Sequence, residues 1–303
     1  MGDAILFDRP SVVRNRLRSR SLNPLGSFLF QEVGSRLADR LLDVRREFPI
    51  AVDLSGQPGF AALMANAGVL DARKIATLVT SLDSPGPRGG ELSIVTDPEG
   101  LPLAESSINL AVSVMALHWI NDMPGMLAQI RRALRPDGLF VAAFLGGETL
   151  HELRDCLATA EIEISGGLSP RVSPFAEIRD AGGLLQRAGF TLPVADKDRI
   201  DVTYETMFAL MHDLRGMGET NALALRLRHF SSRAVFMRAA ALYAQKYGRD
   251  NRIPATFDVT YLTGWAPHES QQRALRPGSA RTRLAAALDT TEQTAGEKAA
   301  PKD

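Results

Sequence analysis

Five short runs of almost unbroken apolar residues constrain what this chain can fold into: IAVDL from Ile50, ATLVTSLD from Ala76, ELSIVTD from Glu91, INLAVSVMAL from Ile108 and GLFVAAFL from Gly138. A strand with one wet face alternates apolar and polar residues. A strand buried on both faces does not, and both faces are buried where helices cover a parallel sheet. Between the last two runs lies MPGMLAQIRRAL, in which Met123, Met126, Leu127, Ile130 and Leu134 form one apolar face and Arg131 and Arg132 lie off it. Pro136 and Gly138 then stop that helix and turn the chain into the next strand. Strand–helix–strand alternation requires right-handed crossovers, so the expectation is an open α/β sheet with helices on both faces.

The flanks are different. Residues 1–20 are polar and carry Arg9, Arg14, Arg16, Arg18 and Arg20. They read either as a solvated, partly helical arm or as a lid over a site or docking strip for a partner. Residues 28–46 repeat Phe30, Val33, Leu37, Leu41 and Val44 at helical spacing, closed by Pro49. Residues 205–247 read as mainly helical with a break at RGMGETN, and DNRIPATFDVTYLTGWA returns to β character with Phe257, Val259 and Tyr261 alternating. The expected organisation is a basic arm and helix over 1–48, a sheet domain over 49–270 with a helical insertion at about 205–247, and a tail over 271–303 with the composition of disorder.

In an open α/β sheet the ligand lies beyond the carboxyl ends of the strands, where the strand order reverses. After the first run come Asp53, Leu54, Ser55, Gly56, Gln57, Pro58 and Gly59. An acid followed by a glycine-rich turn at this point suits a cofactor with an amino-acid end: the acid accepts from the ammonium, and glycines permit positive φ and close approach. Ser55 and Gln57 stand where glycines are expected. Non-glycine residues forced to positive φ would each cost about 1–2 kcal/mol, or one to three orders of magnitude in affinity together; a different turn would avoid that cost. Asp83 is placed to accept from ribose hydroxyls, and Asp97, followed by Pro98, from an adenine amino group. Ser113 and His118 would face the reactive sulfonium, with His118 the candidate base. Each acid also suits a simple turn, and His118 with Trp119 a packed strand end. In order, at successive strand ends, they predict a class I S-adenosylmethionine-dependent methyltransferase fold (Rossmann-like), with an N-terminal helical segment and a helical insertion before the last strands.

Several classes are excluded. The single cysteine, Cys156, precludes a disulfide framework or cysteine-rich zinc site. The five histidines fall in no zinc- or iron-binding spacing, so no metal site is expected. Lys+Arg and Asp+Glu both total 35, which leaves no global field for nucleic acid. No apolar run is long enough to span a membrane.

The stretch LPLAESSINLAVSVMALHWINDMPGMLAQIRRALRPDGLFVAAFLGGETLHELR resembles the methyltransferase-like assembly factor 5 group of respiratory complex I and its bacterial relatives. FDR near the start, EVGSRLADRLLDVRREFP, SGGLSPRVSPF, LLQRAGF, MFALMHDLRGMGE, PATFDVTYLTGW and HESQ extend the resemblance over nearly residues 6–280. It implies action on NADH dehydrogenase (complex I) at an early assembly stage. The partner it implies is an iron–sulfur subunit of that complex, and the chemistry is hydroxylation of one of its arginines. A sister branch is the malonyl-carrier-protein methyltransferase of biotin synthesis. The chain begins almost at FDR, as a bacterial cytoplasmic member would, with peripheral contact to the inner membrane compatible with the resemblance. Two departures bear on S-adenosylmethionine binding: DLSGQPG replaces the family's D-L-G-C-G-x-G, and Asn109 stands where an aspartate is usual. They open the alternative of a non-catalytic, chaperone-like member.

Overall fold

The computed structural model describes residues 5–23, 27–57, 59–71, 75–79, 92–97, 99–174, 178–272, 284–287 and 289–291. Contacts divide the chain into two compact units, Met1–His268 and Glu269–Asp303. In the second, the described residues form one helical turn, Leu284–Ala287. The rest concerns the first unit.

Its core is a seven-stranded sheet in the order β3-β2-β1-β4-β5-β7-β6. The strands are β1 (Ala51–Asp53), β2 (Ile75–Val79), β3 (Leu92–Val95), β4 (Ile108–Val114), β5 (Leu134–Leu145), β6 (Thr191–Tyr204) and β7 (Ile253–Trp265). The five apolar runs supply the parallel strands β1 to β5, and β7 enters antiparallel between β5 and β6. The strand order reverses between β1 and β4, so the loop after β1 sits at the switch point.

One face carries α2 (Phe28–Leu42), α3 (Phe60–Asn66), α5 (His151–Ser165), α7 (Met207–Met217) and α8 (Arg233–Tyr247); the other carries α4 (Met123–Ala133) and α6 (Ile178–Arg187). The stripe predicted for α2 is buried through Leu41, but the helix ends at Leu42 rather than at Arg46. Val44 is partly buried against the same core. In α4 the Asp122 carboxylate accepts from the Gly125 amide at 2.8 Å, a helix cap supplied by the residue before Met123 and Pro124. The helical insertion lies between β6 and β7, and its break is longer than RGMGETN, running from Gly218 to Ser232.

Strand β6 has no counterpart in the sequence reading. Its sequence, TLPVADKDRIDVTY, is charged and partly exposed along its length. It is an edge strand paired on one side only, and charges there protect the open edge from pairing with other chains.

The N-terminal helix α1 (Arg9–Leu22) is not a solvated arm. It buries Ser11, Asn15, Ser19 and Arg20. Three small or polar residues at four-residue spacing let α7 approach closely. Asn15 Nδ2 donates to the Thr220 carbonyl at 3.0 Å, and Asn23 Nδ2 donates to the Gly216 carbonyl at 2.7 Å. Gly218 ends α7 at φ +84°, and a Cβ there would stand 3.2 Å from the Ser19 Cβ. Gly218→Ala is therefore expected to cost about 1–2 kcal/mol through its left-handed backbone alone, with α1 pushed off α7. Urea unfolding reads this directly, and an unchanged midpoint would contradict the close approach.

Candidate functional site

The loop after β1 escapes the strain its sequence threatened. Positive φ falls on Gly56 (+58°) and Gly59 (+85°), both glycines, while neither Ser55 nor Gln57 adopts it. The turn has been redistributed onto the two glycines present, so the backbone penalty expected of Ser55 and Gln57 is not incurred. Ser55 instead pins the loop to the sheet: its amide donates to Asp53 Oδ1 at 2.7 Å, and its hydroxyl accepts from the Val114 amide at 2.7 Å. Asp53 and Ser55 are fully buried, and Gln57 is buried.

Helix α1 lies over this loop. Arg20 donates to the Gly56 carbonyl, and Arg16 donates to the Met115 carbonyl at 3.2 Å. The charge of Asp53 partly offsets the burial of both guanidiniums, and that of Glu219 does so for Arg16. Burial lowers the pKa of each, that of Arg20 to about 10, where the charge of Arg16 also pushes it down. At its outer end α1 is fastened by Arg9 to Asp97. The space left between helix and loop is about 40 Å³, lined by Arg16, Arg20, Ser55, Gly56 and Trp119. Drug-sized ligands occupy pockets of roughly 300–1,000 Å³. The polar set fits S-adenosylmethionine, with a buried carboxylate at the end of β1 and a glycine turn beside it, but with α1 seated the space is too small to hold it.

The remaining candidates separate. Asp97 lies just beyond β3 with its side chain half exposed, its carboxylate already engaged by Arg9. Asp83 and Pro98 lie outside the described residues. Ser113 is fully buried, and among the described residues its hydroxyl has no hydrogen-bond partner. It shares the face of β4 that carries Ala111, toward α4, and lines neither the space under α1 nor the larger cavity described next.

His118 follows β4 in a 3-10 turn, Leu117–Trp119. Its Nε2 lies 3.0 Å from Glu219 Oε2, with both side chains buried. Glu219 is fixed by the end of α7, where its amide donates to the Leu214 carbonyl at 2.9 Å. Glu219 also lines a cavity of about 460 Å³ walled by Leu145, Leu150, Leu153, Met211 and Phe236. Trp119 lines both this cavity and the space under α1. Among the described residues no cluster of three or more His, Cys, Asp or Glu side chains could hold a metal ion, and no helix is long and apolar enough to cross a membrane.

Residues 70–142 match the model of a family described as "Methyltransferase domain". The arginine-hydroxylase NDUFAF5 of Danio rerio is 39% identical over 289 residues, covering 92% of this chain and 88% of its own. The human protein of the same name is 43% identical over 84% of this chain and 74% of its own. A malonyl-[acyl-carrier protein] O-methyltransferase of Laribacter hongkongensis is 35% identical over 92% and 96%. Among solved structures, the YcgJ protein of Bacillus subtilis superposes with a TM-score of 0.51 at 11% identity, covering 78% of this chain and 98% of its own. The chain belongs to the NDUFAF5 family. Its fold is that of the class I S-adenosylmethionine-dependent methyltransferases.

The segments that carry the NDUFAF5 resemblance meet at the site. In FDR, Phe7 packs edge-on to Trp119 with ring centroids 5.2 Å apart, Asp8 accepts from Arg226, and Arg9 pairs with Asp97. In LHWIND, Asn121 Oδ1 accepts from the Phe7 amide at 2.8 Å. In GGETLHELR, Leu150 and Leu153 wall the cavity, while the polar residues hold the sheet: the Thr149 hydroxyl accepts from the Asp258 amide at 3.1 Å, and Glu152 accepts from the Thr256 hydroxyl at 2.6 Å. Sequence reasoning missed Glu219; for the arm that carries Arg16 and Arg20 it left a solvated arm and a lid over a site both open, and α1 lies over the loop. The available signal was the four-residue spacing of Arg16 and Arg20 beside the Ser11, Asn15, Ser19 stripe.

The anchors of α1 carry a pH dependence. Arg9 holds Asp97, and Arg226 holds Asp8, below the ordinary carboxylate range. A depressed folded-state pKa gives stability that is complete above the unfolded value, near 4, and is lost as pH falls through the folded value. The Phe7–Trp119 contact is thus expected to hold from neutral pH down to about 4. Its loss should appear at lower pH as a change in Trp119 fluorescence, read in a Trp265→Phe background. A transition between pH 5 and 7 would contradict this anchoring.

Proposed function

We propose that this protein binds S-adenosylmethionine and acts on an arginine of a protein substrate in the assembly of NADH dehydrogenase (complex I), an iron–sulfur subunit being the substrate. The observation that carries this reading is the extent of the similarity to the arginine-hydroxylase NDUFAF5 proteins. At 92% of the chain it includes the helical insertion and Glu219 as well as the cofactor half of the sheet. The geometry supports it. Asp53 accepts from the cofactor's ammonium group, and Gly56 gives the backbone close access to it. The apolar cavity beside Trp119 excludes water from a bound side chain. His118 and Glu219 can hold or pass one proton between Nε2 and Oε2. When bound, the cofactor supplies an electrophilic methyl group on sulfonium.

Two measurements test this reading. A ligand at a hundredfold excess over its dissociation constant stabilises the native state by about 2.7 kcal/mol, so S-adenosylhomocysteine should raise the melting temperature of the purified protein. Mass spectrometry of the iron–sulfur subunits should then show one modified arginine in the parent strain and its unmodified form in a deletion strain. An unchanged arginine defeats the assignment. The narrow space under α1 favours a second reading, a chaperone-like member that keeps the fold without the cofactor. Calorimetry with no heat of binding at millimolar S-adenosylhomocysteine would select it.

A further inference from the structure

The 460 Å³ cavity has an apolar wall and a particular polar complement. Leu145, Leu150, Leu153, Met211 and Phe236 suit an aliphatic stem. Three charged side chains share the lining: Arg171, Arg215 and Glu219. Arg171 is already matched, donating to both Glu161 oxygens at 2.7 and 3.0 Å and to the Ser231 hydroxyl. Arg215 is exposed. Glu219 is the buried charge, with its side chain 7% exposed and His118 beside it. A buried carboxylate in a largely apolar cavity favours a cationic head group on an apolar stem.

Arg16 of α1 is not the partner of this carboxylate: no direct ion pair joins Arg16 to Glu219 among the described residues, the Arg16 hydrogen bond runs to the Met115 carbonyl, and Arg16 does not line the cavity.

We propose that Glu219, positioned by His118, binds the guanidinium of an arginyl side chain from the protein substrate. The inference rests on the reading of an arginine-bearing substrate and adds to it the residue that receives the arginine.

The test uses the full-length protein and N-acetyl-L-arginine amide as the probe. Binding is followed by calorimetry and by the fluorescence of Trp119, which lines the cavity. The citrulline analogue keeps the shape and removes the charge; the glutamate analogue tests Arg215 as the receptor instead. Charged hydrogen bonds of this kind correspond to about a tenfold effect or more on affinity. Glu219→Gln, which can keep its contact with His118, is expected to weaken the arginine probe at least about tenfold. The citrulline analogue should bind the unaltered protein at least about tenfold more weakly than the arginine probe, a comparison that needs no substitution.

Equal binding of arginine and citrulline, tighter binding of the glutamate analogue, an unchanged affinity in Glu219→Gln, or no arginine binding to the unaltered protein overturns the proposal. These outcomes are independent of S-adenosylhomocysteine. If the deletion strain still loses its modified arginine while Glu219→Gln binds the probe normally, the site assignment has failed and the functional reading stands.

Discussion

Asp53→Asn should weaken S-adenosylhomocysteine binding by about tenfold to a hundredfold, the worth of one charge-assisted hydrogen bond. The carboxylate is fully buried at the end of β1, and its Oδ1 accepts from the Ser55 amide at 2.7 Å. Asparagine keeps the shape and an acceptor for that amide, so the loop remains pinned through Ser55 to Val114. It cannot supply the negative charge that an ammonium group selects. The substitution also removes a counter-charge for Arg16 and Arg20. Calorimetry on the variant and the parent reads the difference, and equal affinities would remove Asp53 from the cofactor site. A parallel fall in thermal stability is expected without ligand, because two desolvated guanidiniums lose a compensating carboxylate.

Phe257→Ala should cost about 3–5 kcal/mol, the usual range for a fully buried phenylalanine truncated in a core. Phe257 sits near the middle of β7, opposite Ile200 of β6, with none of its surface exposed. Strand β7 joins β6 to β5 and so closes that side of the sheet. Its neighbours Thr256 and Asp258 hold the chain after β5 through Glu152 and Thr149. A cavity at Phe257 thus undermines both the outer strand pair and the wall formed by α5. Since small proteins are stable by only about 5–15 kcal/mol, much of the total is lost. Urea denaturation at constant m-value measures it. A loss below about 1 kcal/mol would mean that this part of the core collapses to fill the space.

The sheet was legible because its strands are buried on both faces. Val52, Leu110, Val112, Phe140 and Phe144 are apolar for a reason that acts on each strand separately, so the pattern appears in the linear sequence. The helix α4 was legible because one face of it packs on the sheet. Strand β6 was not, because an edge strand answers to solvent on its open side and its composition is that of a charged loop. The glycine loop was legible in position and misleading in energy. Ser55 and Gln57 stand where glycines are usual, but φ is a property of the folded turn, and the turn places its positive values on Gly56 and Gly59.

The sequence by itself determined the fold, the position of the loop at Asp53 and the membership of the NDUFAF5 family. Each of these follows from residues close together along the chain or from the order of such segments. Tertiary structure decided what covers the loop and what lines the cavity. His118 and Glu219 lie far apart in sequence and meet at the end of α7, where a stripe of Ser11, Asn15 and Ser19 lets α1 seat against Gly218 and carry Arg16 and Arg20 over the loop. That meeting is a matter of close packing between two distant helices. The pattern of a single segment cannot display it, and so a helix with the composition of a solvated arm closes the site.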